Sequence, residues 1–155
     1  MVSSGSEILL IVRSGIEADA SEAVKVLRRS ITELCVEDHQ NNEEAVADWL
    51  SNKTEANWIR WLQFHEVSTF VVENHDKIVG VGMVDDHGKV LLNYVNPDFR
   101  FKGVSTTLLT ALEAKVRLSG RKFVSLESSK TAKRFYESRG YRQIEGSSLA
   151  MQKRL

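Results

Sequence analysis

The sequence predicts an α/β (α+β) domain, a mixed, largely antiparallel central sheet of about six to seven strands flanked by helices. Three observations point there. Three apolar, strand-like runs between 68 and 95 are separated by turn segments, the pattern of an antiparallel meander. A strand, an amphipathic helix and a further strand follow between 89 and 127, which is the order of a parallel crossover. Two short runs around Gly146 then close the chain as a hairpin. The chain has 155 residues, 42% hydrophobic and 27% charged, and no repeat, linker or low-complexity segment divides it. Residues 1–155 therefore read as a single domain with its own core.

Taken in order, Ile8–Val12 is an apolar run with strand character, followed by a turn at Ser14-Gly15. From about Asp19, Val24, Leu27, Ile31, Leu34 and Cys35 recur at helical spacing. Cys35 is the one cysteine, so no intrachain disulfide can form. With no signal-peptide pattern, a reducing cytoplasm is the expected location. Flanked by Leu34 and Val36, Cys35 reads as core. Asn41 or Asn42 can cap a second helix carrying Val46, Trp49 and Leu50. Thr54 can cap a third with Trp58, Ile59, Trp61 and Leu62, and the tryptophans read as core anchors before pocket walls.

The meander strands are Ser68–Glu73, Lys77–Val84 and Lys89–Val95, with turns at Asn74-His75-Asp76 and Asp85-Asp86-His87-Gly88. A helix from Val104 to about Ser119 aligns Val104, Leu108, Leu112 and Val116 and stops before Gly120. It leads to the strand Phe123–Glu127, so the strands at Leu91 and Val124 should be parallel neighbours. Ser129 can cap a helix running through Arg139, with Gly140 as its stop. Tyr141–Ile144 and Ser148–Lys153 form the closing hairpin.

Formal net charge is zero, which argues against bulk nucleic-acid binding, and no apolar run is long enough to cross a bilayer. His65, His75 and His87 lack metal-ligand spacing, so no metal site is expected. The charge is nevertheless uneven. Between Ser30 and Asn52 there is no Lys or Arg, while Glu33, Glu37, Asp38, Glu43, Glu44 and Asp48 are all acidic. Arg100, Lys102, Lys130, Lys133 and Arg134 lie in the later half. One end suits an anionic ligand and the other a cationic one. Glu33 and Glu37, four apart and followed by Asp38, are expected to share a helix face toward that second ligand.

The most specific stretch runs from Asn93 through Pro97 into Arg100-Phe101-Lys102-Gly103-Val104-Ser105-Thr106 and straight into a helix. Free N–H groups and the dipole at a helix start favour an anion, Gly103 permits close approach, and Arg100 and Lys102 add charge. Walker A and G-x-G-x-x-G spacings are both missing. The stretch resembles the pyrophosphate-binding R/Q-x-x-G-x-G/A signature of the GNAT acyltransferase superfamily. Ala132-Lys133-Arg134-Phe135-Tyr136-Glu137-Ser138-Arg139-Gly140-Tyr141 is similar to the A-x-x-F-Y-x-x-x-G-F/Y motif of the same superfamily, in the same order along the chain. Three departures stand out: Ser105 replaces the usual Gly or Ala, Phe101 sits where Gly is common, and Ser129 replaces an Asn.

The resemblance implies acetyl-CoA as acyl donor and direct transfer to a primary amine of a small molecule or a peptide or protein, in a ternary complex. It implies cofactor contacts from Val95, Arg100, Phe101, Lys102, Gly103, Val104, Ser105, Thr106, Ser129, Lys133 and Tyr136. A backbone N–H near Val95, at the end of a strand splayed from its parallel neighbour, would meet the acyl-pantetheine arm. Tyr136 would give a proton to the departing thiolate, since a phenol with a reference pKa of about 10 is protonated at neutral pH. No general base stands out: Lys89 occupies the place of a strand-borne Glu found in relatives, leaving Glu127, Glu33, Glu37, Asp38, His39 or a water chain. Glu33, Glu37, Asp38, Asn93 and Glu127 are the candidates for the acceptor side. A monomer or a homodimer is equally compatible. A CoA-binding module without catalysis is the alternative on the same fold.

Overall fold

The computed structural model describes residues 7–146 and 149–155. Its elements are β1 (Leu10–Ser14), α1 (Ala20–Leu34), α2 (Val36–His39), α3 (Glu43–Leu50), α4 (Glu55–Gln63), β2 (Val67–Asn74), β3 (Lys77–Asp85), β4 (Lys89–Val95), α5 (Val104–Leu118), β5 (Phe123–Glu127), α6 (Lys133–Ser138), β6 (Arg142–Gln143) and β7 (Ala150–Arg154). One sheet of seven strands runs β1-β2-β3-β4-β5-β7-β6. Only β4 and β5 are parallel; the other neighbours pair antiparallel, as a meander, a crossover and a hairpin require.

Helices cover both faces. On one, α1 and α4 bury Ala23, Val24, Leu27 and Trp58 against Val71, Val81, Met83 and Leu92. On the other, Val104, Leu108, Leu112 and Val116 of α5 pack on Val72, Val79, Val84, Val90 and Val124. The four α5 positions are those that helical spacing aligns. A glycine pair in β3 sets how closely α5 lies: a Cβ on Gly80 would stand 2.6 Å from Val104 Cγ1, and one on Gly82 2.8 Å from Leu108 Cδ1. The closing hairpin is pinned to α5 by the buried Glu113, which accepts from the Tyr141 hydroxyl (2.8 Å) and from Lys153 Nζ (3.2 Å). Burial, and secondarily this bond to a carboxylate, push the Tyr141 phenol well above its usual range.

Several boundaries differ from the sequence expectation. The first strand is Leu10–Ser14 and not Ile8–Val12. An unbroken apolar run carries no register of its own, and here register is set by Arg13, which bonds Asp19 and Glu73, and by Gly15, whose missing Cβ makes room for Trp58. The long helix breaks at Cys35 (φ −100°, ψ 29°) and resumes as the single turn α2, so Glu33 and Glu37 sit on different helices and share no face. The chain then turns through Gln40 and Asn41, both at positive φ. Asn42 and Thr54 cap α3 and α4 by accepting from Ala45 N and Asn57 N. However, α3 buries none of its residues, and Trp49 is only half-buried. The late helix is shorter than Ser129–Arg139; it starts at Lys133, and Ser129 Oγ instead accepts from Ala132 N to close the preceding turn. The closing hairpin pairs Arg142–Gln143 with Met151–Gln152 and adds a bond from Ile144 N to Ala150 O, and the expected strand start at Ser148 lies outside the described residues. Among the described residues no helix is long and apolar enough to cross a membrane.

Gly82→Val should overpack Leu108 and lower stability by about 1–3 kcal/mol. Urea denaturation monitored by tryptophan fluorescence measures this, and an unchanged midpoint would show that α5 can move outward at no cost.

Candidate functional site

The site originates in the pairing of β4 with β5, which lasts for only Lys89↔Ser125 and Val90↔Leu126. Beyond Val90 the two strands part, and their facing backbone edges open a cleft through the middle of the sheet. At the same point β4 carries a bulge, where its register against β3 shifts between Met83 and Val84. The extra residue, Leu91, puts Val90 in the core under α5 and Leu92 in the core under α1. The following residues are thereby aimed so that Asn93 faces α6 and Tyr94 packs toward α1.

Two cavities meet across this cleft. One, about 520 Å³, is lined by Asn93 and Val95 of β4, the Arg100–Thr106 loop, Phe135, Tyr136 and Arg139. The other, about 430 Å³, is lined by Asp38, Trp49, Lys89, Leu91, Glu127 and Leu149 among others. Asn93, Tyr94, Ser129, Ala132 and Tyr136 line both and form the partition between them.

The first cavity ends on the N-terminus of α5. After β4, Asn96 donates its N–H to Val79 O and caps the short turn Pro97–Phe99. Phe101 has φ 65° and is 91% exposed under the Arg100 guanidinium, 4.7 Å from ring to carbon. This left-handed backbone is one that glycine adopts more readily than phenylalanine. Gly103, at φ 84°, begins α5 with no side-chain cap, and a Cβ there would meet nothing within 4 Å. No acidic residue occupies the first turn, so the N–H groups of Val104, Ser105 and Thr106 and the positive dipole end are left for an anionic ligand. Arg100 lines this cavity; Lys102 and Lys133 stand outside its lining. Arg139, which the sequence reading left out, is present instead: it donates to Thr106 Oγ1 (2.7 Å) and lies over Phe135. Its position inside a recognisable motif was the available signal.

At the partition, Tyr136 is buried and its hydroxyl accepts from Asn93 Nδ2 at 3.2 Å. Its ring meets Phe135 and Tyr141 edge-on. Burial pushes the phenol up to about 12, with the Asn93 bond opposing. Tyr94 is likewise pushed up to about 12 by burial, against a hydrogen bond from Trp49. Cys35 lines the first cavity as a buried thiol, also pushed to about 12 by burial and therefore protonated and inert.

The acidic candidates separate. Glu33 is taken up in an ion network in which Arg29 bonds both it and Asp98. Glu37 is exposed and lines neither cavity. Asp38 lines the second cavity, but its carboxylate accepts from Lys130 N (2.6 Å), Thr131 N (3.3 Å) and Thr131 Oγ1 (2.8 Å), latching α2 to the loop after β5. His39 is buried with both ring nitrogens used, Nε2 toward Ile31 O and Nδ1 accepting from Asn41 N. Glu127 is exposed at the rim of the second cavity beside Lys89. Trp49 and Tyr94 are walls of that cavity; the sequence reading assigned the tryptophans this role second to the core and did not single out Tyr94. The arrangement can hold an anionic ligand on one side and a second ligand on the other, with a phenol where the two meet.

The sequence matches the family model described as an acetyltransferase (GNAT) domain over residues 35–152. Among solved structures, a GCN5-related N-acetyltransferase from Rhodopseudomonas palustris is 26% identical with a TM-score of 0.80, covering 100% of this chain and 99% of that one. The PaiA N-acetyltransferase of Thermoplasma acidophilum, in complex with coenzyme A, has the same fold at 17% identity, TM-score 0.80, over 95% and 99% of the two chains. So does the ribosomal-protein-S18-alanine N-acetyltransferase of Escherichia coli, at 18% identity, TM-score 0.65, over 94% of each. No curated protein sequence matches.

Asp38→Ala should remove the latch and lower stability by about 1–3 kcal/mol, since it strands backbone donors at Lys130 and Thr131. Chemical denaturation is the measurement, and faster amide exchange at Thr131 should accompany the loss.

Proposed function

The chain belongs to the acetyltransferase (GNAT) domain family, and on that premise we propose that it transfers an acetyl group from acetyl-CoA to a primary amine of a small molecule or of a peptide or protein. The single observation that carries this reading is the partition: two cavities share Asn93, Tyr94 and Tyr136, so donor and acceptor can be bound together and react directly. The donor supplies an activated acyl group; the amine nitrogen bonds the acyl carbon as the carbon–sulfur bond breaks, and the proton lost by the amine balances the one gained by the thiol.

In this reading the N–H groups of Val104, Ser105 and Thr106 hold the pyrophosphate, with Gly103 giving access and Arg100 and Arg139 adding charge. Phe101 lines the mouth of this cavity, and Lys102 and Lys133 steer the approach from outside it. The exposed edge of β4 at Val95, with Ser129 opposite, receives the pantetheine arm. Tyr136 is the hydrogen-bond donor to the departing sulfur. With Asn93 Nδ2 donating to its oxygen, the phenolic hydrogen is free to point into the cleft. The phenol, lifted to about 12 by burial, acts as a hydrogen-bond donor whose proton need not be fully transferred. Stabilising the thiolate by a charge-assisted hydrogen bond needs no such transfer. The incoming amine must be neutral to attack. Glu127, on the open rim of the acceptor cavity, is the one carboxylate there without a hydrogen-bond partner among the described residues, and it can relay the amine proton to solvent.

A panel of polyamines, amino acids, aminoglycosides and peptides, assayed for thiol release from acetyl-CoA, tests the activity. Binding of coenzyme A without thiol release for any amine would make the chain a CoA-binding module instead. Acetyl-CoA should raise the melting temperature, and Gly103→Glu, which puts a carboxylate in the anion cradle, should abolish the rise; unchanged affinity by calorimetry would refute the loop assignment. Tyr136→Phe should keep coenzyme A affinity and lower kcat about 10- to 100-fold, the worth of one charge-assisted hydrogen bond. Because the native phenol is held protonated, wild-type kcat should show no loss from Tyr136 ionisation up to about pH 10.

A further inference from the structure

Asn93 is an amide on a central strand, at a place where the neighbouring inward positions Val90, Leu92 and Val95 are apolar. Its two ends are unequally used. Nδ2 donates to Tyr136 Oη, while Oδ1 has no exposed surface to speak of and no hydrogen-bond partner among the described residues. A buried carbonyl oxygen left without a donor is costly, so a group that brings one gains affinity there. Oδ1 can only accept, and both cavities reach Asn93. An acyl thioester carbonyl or a thiolate has no hydrogen to offer it; the N–H of an attacking amine has.

Resting on the acetyltransfer reading above, we propose that Asn93 is the residue that holds the acceptor amine: Oδ1 accepts one N–H of the attacking nitrogen while Nδ2 fixes the Tyr136 hydroxyl. One rigid amide then sets the nucleophile and the donor to the leaving sulfur relative to each other, a positioning that a mobile side chain would not give. The bulge at Leu91 is what turns Asn93 toward Tyr136. Being neutral, the amide binds the amine without stabilising its protonated, unreactive form, as a carboxylate at the same place would. The other polar side chains around this point are engaged or remote: Tyr94 takes a bond from Trp49, Asp38 is latched to Lys130 and Thr131, and Glu127 and Lys89 sit at the exposed rim.

The test separates the two ends of the amide kinetically. Hydroxylamine serves as probe acceptor because it is small, carries N–H donors and is uncharged at neutral pH, so it samples the point of attack without needing the natural substrate. Wild type, Asn93→Leu and Asn93→Asp are compared at saturating acetyl-CoA for acetohydroxamate formation and thiol release, with coenzyme A affinity by calorimetry and melting temperature measured in parallel. Asn93→Leu, near in size but without polar atoms, should raise the hydroxylamine KM roughly tenfold and also lower kcat. Asn93→Asp keeps an acceptor but loses the N–H to Tyr136, so its KM should stay within about twofold while kcat falls about 10- to 100-fold, as for Tyr136→Phe. Coenzyme A affinity should be unchanged in both. An unchanged KM in Asn93→Leu overturns the proposal, as does a loss of coenzyme A affinity in both variants, which would assign the amide to the pantetheine arm. A wild type that releases no thiol with hydroxylamine or with any amine of the panel overturns the acetyltransfer reading itself, and this inference with it.

Discussion

Everything at the site depends on the early end of one parallel strand pairing. β4 and β5 share only two residue pairs before they diverge. In a sheet that continued its ladder, the backbone of β4 beyond Val90 would be covered on that side, and no ligand could enter between the strands. Divergence leaves an edge inside the fold, which is where unpaired N–H and C=O groups are ordinarily a liability. Here helices close over it on both faces, α5 and α6 on one and α1 and α2 on the other, so the edge is enclosed within a cleft. The bulge at Leu91 accompanies the divergence and decides which side chains look into it.

The anion-compatible end of the first cavity is built from backbone more than from side chains. An uncapped helix start with no acidic residue in its first turn stands at the end of the loop, and its dipole is equivalent to about half a unit charge. The same chain uses the opposite arrangement at α3, where Asn42 caps the helix and Glu43 and Glu44 occupy the first turn. Two helix starts of one protein thus show the two uses of the same physics, one satisfied internally and one left for a ligand. The glycines of β3 belong to this design: without side chains at Gly80 and Gly82, α5 can lie close enough to bring its N-terminus level with the end of β4.

The second cavity is held by long-range contacts. Asp38 reaches from α2 to the loop after β5, Arg29 joins α1 to Asp98 beyond β4, and Trp49 comes from a helix with no fully buried residue. The run of carboxylates between Ser30 and Asn52 is therefore not one acidic surface. Glu33 is consumed in an ion pair and Asp38 in a latch, Glu43 and Glu44 lie in the first turn of α3, and the charges at the rim of the second cavity, Glu127 and Lys89, come from outside the run. The second cavity is thus defined by shape and aromatic walls, with charge confined to its rim.

The sequence by itself determined the sheet, the helices and the glycine-marked loop before α5, because each is written in neighbouring residues: apolar runs between turns in β2 to β4, helical spacing in α5, a glycine at a helix start, and Phe135-Tyr136 before Gly140. Strand β5 is matched to the residue and α5 to within one at its end. The tertiary structure alone decided how those pieces meet. No pattern within Lys89–Val95 marks the bulge at Leu91; the splaying of this strand from its parallel neighbour was expected through the family resemblance alone, and the facing of Asn93 toward Tyr136, 43 positions later, was not legible. Nor was the break at Cys35, which apolar spacing runs straight through, or the bond from Asp38 to Thr131 across 93 positions. Periodicity reports which face of an element is apolar. Where two elements stop pairing, and which polar atoms are then brought within 3 Å of each other, depends on packing between segments far apart in the chain, and only the folded molecule contains that information.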